Sequence, residues 1–235
     1  MSDLSANLEA VRQRIAAAAA RVGRQPDEIT LIAVSKTRPV EEIAAALAAG
    51  ATDFGENYVQ ELVEKQQALG DHKPVPQWHF IGHLQRNKVR FIVPFCSLIH
   101  VVDSVRLAEE ISQRAGQCGR VQPVLLQVDL AGEETKFGCP EGELSPVVEA
   151  LQSLASLDWQ GLMTIPPLGS SPEQSRPYYQ RLARVRDELA SQGVPERHLR
   201  HLSMGMSNDY EVAIEEGATL VRIGTAIFGA RAPRQ

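Results

Sequence analysis

Residues 30–57 read TLIAVSKTRPVEEIAAALAAGATDFGEN, and this stretch decides the fold. Residues 30–35 form a short apolar run of strand length. Residues 40–49 are alanine-rich and helical, and Gly50 stops the helix. Residues 53–55 then begin a second strand. A helix between two short strands supplies the crossover that parallel pairing requires, so the unit is predicted to be β–α–β.

The same rhythm runs in both directions. Upstream, Leu4, Leu8, Val11, Ile15 and Val22 recur at helical spacing with charges between them, which predicts an amphipathic helix. Downstream, strands are predicted at 78–81, 98–102, 124–130, 161–165, 199–203 and 220–223. Helices are predicted through Leu69, after Gln85, after a cap at Asp103 or Ser104, within 140–157, over 176–192 and over 209–216. Residues 166–172 (PPLGSSP) read as a loop above the sixth strand. Eight strands alternating with helices predict an α/β chain. The expected form is a single (β/α)8 TIM barrel over residues 1–235 with an extra N-terminal helix. An open doubly wound sheet is the alternative, but eight units fit closure better.

Composition narrows the function classes. The chain has 235 residues, 24 Lys+Arg against 29 Asp+Glu, and a net charge of −5. A dedicated nucleic-acid binder usually carries a basic excess, so none is expected. No apolar run of about 18 residues exists, so no membrane span is expected. The N-terminus carries Asp3 and Glu9 and does not read as a signal peptide. Cys96, Cys118 and Cys139 are an odd, scattered set without a CxxC, which fits a reducing cytoplasm. No exposed repeat or heptad argues for self-association, so a monomer is expected.

In such barrels the chemistry collects at the C-terminal ends of the strands. Those ends read Lys36, Glu56 and Asn57, His83 and Gln85, Asp103, Asp129, Thr164, the run from Ser203 to Ser207, and Arg222 to Thr225. All are expected to face one mouth. Lys36 ends an apolar strand, where partial desolvation favours the neutral amine that Schiff-base chemistry needs. Taken alone it reads first as a strand-end lysine with its stem on apolar surface. The second signal is Ser203-Met204-Gly205-Met206-Ser207 with Gly224-Thr225 after the last strand. Loops after strands seven and eight are the recurrent phosphate site of barrels; tight turns with a serine cap are the plainer reading. A reactive lysine and a phosphate site in one mouth suggest a phosphorylated aldehyde, and pyridoxal 5′-phosphate (PLP) fits. Arg222 shares a strand face with Gly224 and could reach the pyridine nitrogen, leaving it unprotonated because arginine keeps its proton. An ordinary ion pair with an acidic neighbour is the alternative.

Residues 33–37 (AVSKT), 54–60 (FGENYVQ), 78–82 (WHFIG) with Leu84-Gln85, 161–163 (GLM), 202–207 (LSMGMS) and 221–229 (VRIGTAIFG) carry a resemblance. In this order, over nearly the whole chain, they resemble the pyridoxal phosphate homeostasis protein family of the YggS/PROSC type. The resemblance implies a fold-type III PLP barrel similar to the barrel domain of bacterial alanine racemase. It implies Lys36 as the aldimine lysine, Ser207, Gly224 and Thr225 at the phosphate, and Arg222 at the pyridine nitrogen. It places Asn57 near the ring and packs Met204 against the ring region. It implies a role in vitamin B6 pools and amino/keto acid balance, with no established catalytic residue. PLP-dependent apoenzymes or a regulatory protein are the expected partners.

One departure weakens the racemase analogy. Alanine racemases carry a second, β-rich domain that supplies a tyrosine base from the partner subunit, and this sequence ends soon after the eighth strand. A two-base racemase needs an acid or base on each substrate face. Opposite Lys36 only Tyr58, His83 and Lys136 offer themselves, so a weak racemase or lyase is the alternative function. A cofactor-free Schiff-base aldolase is a further rival. His79-x3-His83 is not read as a metal site, because four residues of strand separate the rings by about 13 Å. Gly224 and Gly229 lack the Lys-Ser/Thr of a P-loop. Arg181, Arg184 and Arg186 read as a solvated helix face beside Asp187 and Glu188.

Overall fold

The computed structural model describes residues 4–132, 137–167 and 171–230. Eight parallel strands close into a barrel: β1 (Thr30–Val34), β2 (Asp53–Glu56), β3 (Gln77–Phe80), β4 (Leu98–Val102), β5 (Gln122–Asp129), β6 (Leu157–Met163), β7 (His201–Met206) and β8 (Leu220–Ile223). Each pairs with its neighbour in sequence, β4 joins β5, and β8 returns to β1. The doubly wound alternative is thereby excluded. Two further residues, Cys139–Pro140, pair with the end of β5, lie outside the ring and were not expected from the sequence.

The helices are α1 (Leu4–Arg21), α2 (Val40–Ala48), α3 (Val59–Leu69), α4 (Val89–Ile92), α5 (Val105–Gln117), α6 (Leu144–Ser153), α7 (Arg176–Ser191), α8 (Tyr210–Glu215) and α9 (Thr225–Phe228). Helix α1 packs outside the barrel. Its Asn7 amide donates to the Ile227 carbonyl at 2.9 Å, and Arg12 donates to the Gly50 carbonyl at 2.7 Å. Val22 lies past its end and is exposed, because the chain has turned away from the barrel by Gly23.

Strand pairing separates two faces of the wall. Ile32 pairs in register with Asp53 and with Arg222, so these three share the inner face. Phe54 and Trp78 take the outer face, with ring centroids 5.9 Å apart, and the Trp78 indole donates to Gln66 of α3 at 2.6 Å.

Three boundaries differ from the sequence expectation. Strand β6 starts at Leu157, not at 161, because Asp158 and Gln160 are the polar face of a period-two strand and bond each other at 2.6 Å. Strand β7 starts at His201 and runs to Met206; Glu196–His198 form a short 3-10 turn that stacks His198 on Trp159. The helix expected after Gln85 is a 3-10 turn and the four residues of α4. Of the loop at 166–172, residues 168–170 lie outside the described residues.

Candidate functional site

The C-terminal ends of β2, β1, β8 and β7 are neighbours in the ring. They gather four of the expected groups. Lys36 stands half-buried in the turn that leaves β1. Asn57 follows β2, and its side-chain carbonyl is buried without a hydrogen-bond partner among the described residues. Ser207 follows β7, and its hydroxyl accepts from the backbone N–H of Gly224 at 3.1 Å and of Ala226 at 3.4 Å. Thr225 is exposed beside them. The Ser207–Gly224–Thr225 grouping expected from the sequence is therefore assembled.

The loops are fitted closely. At Gly82, just past β3, an added Cβ would collide with the Asn57 backbone carbonyl, so only glycine lets the two loops touch. Gly82→Ala is expected to destabilise the protein by about 1–3 kcal/mol, the usual cost of overpacking, and to displace Asn57. Urea unfolding of the variant checks this; an unchanged midpoint would refute it. Gly205 solves a different problem. Ser203 pairs with Leu220 but Met206 pairs with Arg222, so β7 carries one extra residue. The bulge places Gly205 at φ +92°, against Ala213 and Tyr210 of α8.

That bulge corrects one expectation. Met204 has no exposed surface and belongs to the hydrophobic core instead of lining the mouth. Met206 is the methionine in register with Arg222 and is partly exposed.

Arg222 is nearly buried and forms no ion pair with a carboxylate among the described residues. It donates to the Ser203 hydroxyl at 2.6 Å and to the Thr164 carbonyl at 2.9 Å. Burial pulls its guanidinium down to about 10, partly offset by Tyr179 and Asp209, and it stays charged at neutral pH. Ser203 has no exposed surface; it lies inside the barrel below the mouth, a second correction. Its hydroxyl contacts His100 Nδ1 at 2.9 Å, His100 Nε2 meets His79 Nδ1 at 2.9 Å, and His79 Nε2 meets Asp53 at 3.0 Å.

Glu56 does not face the mouth. It is fully buried between the barrel wall and α3, where its Oε1 accepts from Lys65 at 2.7 Å and from the Ser35 hydroxyl at 2.6 Å. Its Oε2 has no partner among the described residues. Burial raises the Glu56 carboxyl above its usual value despite Lys65. Lys65 also donates to the Ser35 carbonyl and to Glu61, each at 2.7 Å, and Glu61 accepts the Thr37 N–H. Thr37 adopts φ +63°, a costly conformation for a β-branched residue. The Glu56–Lys65–Glu61 cluster thus grips the backbone on both sides of Lys36. The sequence reading missed Lys65 and Glu61. The available signal was a lysine on the apolar stripe of α3, between Leu62 and Leu69.

The remaining expected residues are distributed differently. Thr164 is buried and its hydroxyl donates to the Val128 carbonyl. Asp129 accepts from the N–H groups of Ala131 and Gly132 and closes its own turn. Gln85 and Tyr58 are exposed, and Asp103 is half-buried with a bond from Ser104. His83 stacks on Phe137 with centroids 3.7 Å apart, while His79 turns into the barrel. Lys136 lies outside the described residues. Among the described residues no three His, Cys, Asp or Glu side chains gather in a metal-binding arrangement. Arg181 pairs with Glu141 and Glu188, both at 2.6 Å.

With this geometry in place, comparison defines the class: the family described as alanine racemase, N-terminal domain, matches residues 6–232. The pyridoxal phosphate homeostasis protein of Aquifex aeolicus (strain VF5) is 46% identical over 224 residues, covering 95% of this chain and 96% of the relative. The chain belongs to the pyridoxal phosphate homeostasis protein family. Among solved structures, PipY of Synechococcus elongatus PCC7942 with PLP bound superposes with a TM-score of 0.85 at 37% identity, covering 97% of this chain and all of that one. An alanine racemase of Clostridium difficile 630 shares the fold, with a TM-score of 0.72 at 16% identity; this chain spans 58% of its length.

Proposed function

We propose that this chain binds PLP in vitamin B6 homeostasis and holds it covalently on Lys36. The observation that carries the reading is the arc of four adjacent strand ends that collects Asn57, Lys36, Gly224 with Thr225, and Ser207. The residues fit the cofactor. Asn57 offers a buried, unpartnered carbonyl, and the Gly224 and Ala226 N–H groups converge on one oxygen, as a phosphate oxygen would require. Arg222 keeps a charged, donor-only group on the inner face beneath them. PLP supplies an electrophilic aldehyde, which condenses with an amine with loss of one water. Lys36 provides the amine, and the Glu56–Lys65–Glu61 cluster fixes the turn that carries it. Ser207, Gly224 and Thr225 hold the phosphate, Arg222 faces the ring nitrogen, and Asn57 lies beside the ring. Met206 takes the place assigned to Met204.

The role favoured is storage and delivery of PLP by a cytoplasmic monomer, to apoenzymes or a regulatory partner. Among the described residues no helix is long and apolar enough to cross a membrane. The test is the visible spectrum of the purified protein before and after borohydride, with the modified peptide located by mass spectrometry. A reduced PLP adduct on Lys36 is expected. Protein that stays colourless and unmodified after incubation with PLP would overturn the assignment.

A further inference from the structure

The barrel interior below the mouth holds a continuous line of polar groups. It runs from Arg222 on β8 to Ser203 on β7, His100 on β4, His79 on β3 and Asp53 on β2, with contacts of 2.6, 2.9, 2.9 and 3.0 Å. Arg222, Ser203, His100 and His79 are all buried. Asp53 is the first residue of β2, on the rim opposite the mouth, and is partly exposed.

With both imidazoles neutral, the chemistry of the two ends fixes the direction of every bond between them. Arginine can only donate, so Ser203 accepts from Arg222 and has its own proton to give. A carboxylate can only accept, so His79 gives its Nε2 proton to Asp53. His79 Nδ1 is then an acceptor, which requires the His100 proton on Nε2. His100 Nδ1 is left to accept from Ser203. Every member is satisfied with both imidazoles neutral. Burial pushes His100 well below its usual value, and the charge of Arg222 adds to it. Burial alone would raise Asp53, but bonds from His79 and Thr52 outweigh it and keep the carboxyl low and charged. The other titratable groups bearing on the line are Tyr179 and Asp209, which act on Arg222, and His201, at the start of β7, which contacts the Thr219 hydroxyl at 3.2 Å.

We propose that Asp53, His79, His100 and Ser203 are positioning residues: a directed hydrogen-bond wire that orients Arg222 and ties its charge to a carboxylate on the far rim. What Arg222 faces rests on the PLP reading above; the wire itself does not. The wire makes the electrostatics of the cofactor site depend on a residue at the opposite end of the barrel. Removing the Asp53 charge leaves the Arg222 field less compensated, which disfavours a second cation at the Lys36 nitrogen.

Asp53→Asn is the informative variant, because asparagine keeps the size but both donates and accepts, so it no longer imposes a direction. Two measurements read it. In protein without cofactor, nitrogen-15 NMR of the imidazoles is expected to show His79 and His100 as neutral Nε2–H tautomers in the wild type. Asp53→Asn is expected to give a mixture of tautomers. In PLP-loaded protein, the pH midpoint of the visible band is expected to fall by about half a pH unit in Asp53→Asn. An Nδ1–H tautomer or a charged imidazole in the wild type overturns the wire. So does an unchanged midpoint in a variant that still binds PLP. Failure of the wild type to take up PLP would instead overturn the cofactor reading, and the NMR arm would still decide the wire.

Discussion

Replacing Lys36 with alanine is expected to abolish the visible PLP band and the borohydride-trapped adduct while leaving the protein folded. The lysine sits half-buried in a turn, and its removal opens no core cavity. The proposed phosphate anchors at Ser207 and Gly224 and the proposed ring contacts at Asn57 and Arg222 remain, so PLP should still bind reversibly. Loss of the covalent link is expected to weaken retention about a hundredfold or more, or about 2.8 kcal/mol. Equilibrium dialysis of both proteins measures the difference, and mass spectrometry after borohydride locates any residual adduct. An undiminished adduct in Lys36→Ala would show that another lysine carries the cofactor, with Lys136 the first to examine.

The second large effect is expected at a residue that touches no ligand. Lys65→Met should destabilise the protein by about 3–5 kcal/mol at neutral pH, the usual cost of stripping one partner from a buried ion pair. Glu56 is wholly buried and would keep only the Ser35 hydroxyl as a partner. The pH dependence follows from the sign of its shift. Burial already raises the Glu56 carboxyl above its usual 4.5, so the folded state holds the proton more tightly than the unfolded chain. Such a group favours folding below the unfolded value and loses that contribution as pH rises through the folded one. Lys65 partly offsets the shift, and its removal drives the carboxyl higher. The deficit of Lys65→Met should therefore be large at pH 7 and shrink toward pH 4.5. Glu56→Gln combined with Lys65→Met should recover much of it. Denaturant titrations at the two pH values measure this, and equal deficits would exclude a charged Glu56 as the cause. The turn bearing Lys36 should also loosen, lowering PLP retention in the single variant.

The fold was largely legible because a parallel barrel repeats one local grammar. Apolar runs of strand length, helices stopped by glycine, and polar residues at strand ends are all set by neighbours in the chain. The misplaced start of β6 shows the limit. Asp158 and Gln160 look like loop residues until Trp159 between them is seen buried, which depends on what packs against that face. The short α4, packed against α3 and α5, is a similar case.

The site divides along the same line. Lys36, Asn57, Ser207, Gly224, Thr225 and Arg222 were named from motifs, and the barrel brings the strand ends that carry them side by side. Met204 is buried in the core, while one extra residue in β7 turns Met206 to the face of Arg222. That bulge exists only through pairing with β8 and packing of Gly205 on α8. The sequence by itself determined the repeating unit, the ring of eight, and the lysine and glycine-rich ends that define the cofactor reading. Tertiary structure alone decided that Glu56 turns outward to Lys65. It alone joined Asp53, His79, His100, Ser203 and Arg222, from five strands, into one line. A side chain's face follows from local period, but its partner across a barrel is set by closure, which no short stretch of sequence encodes.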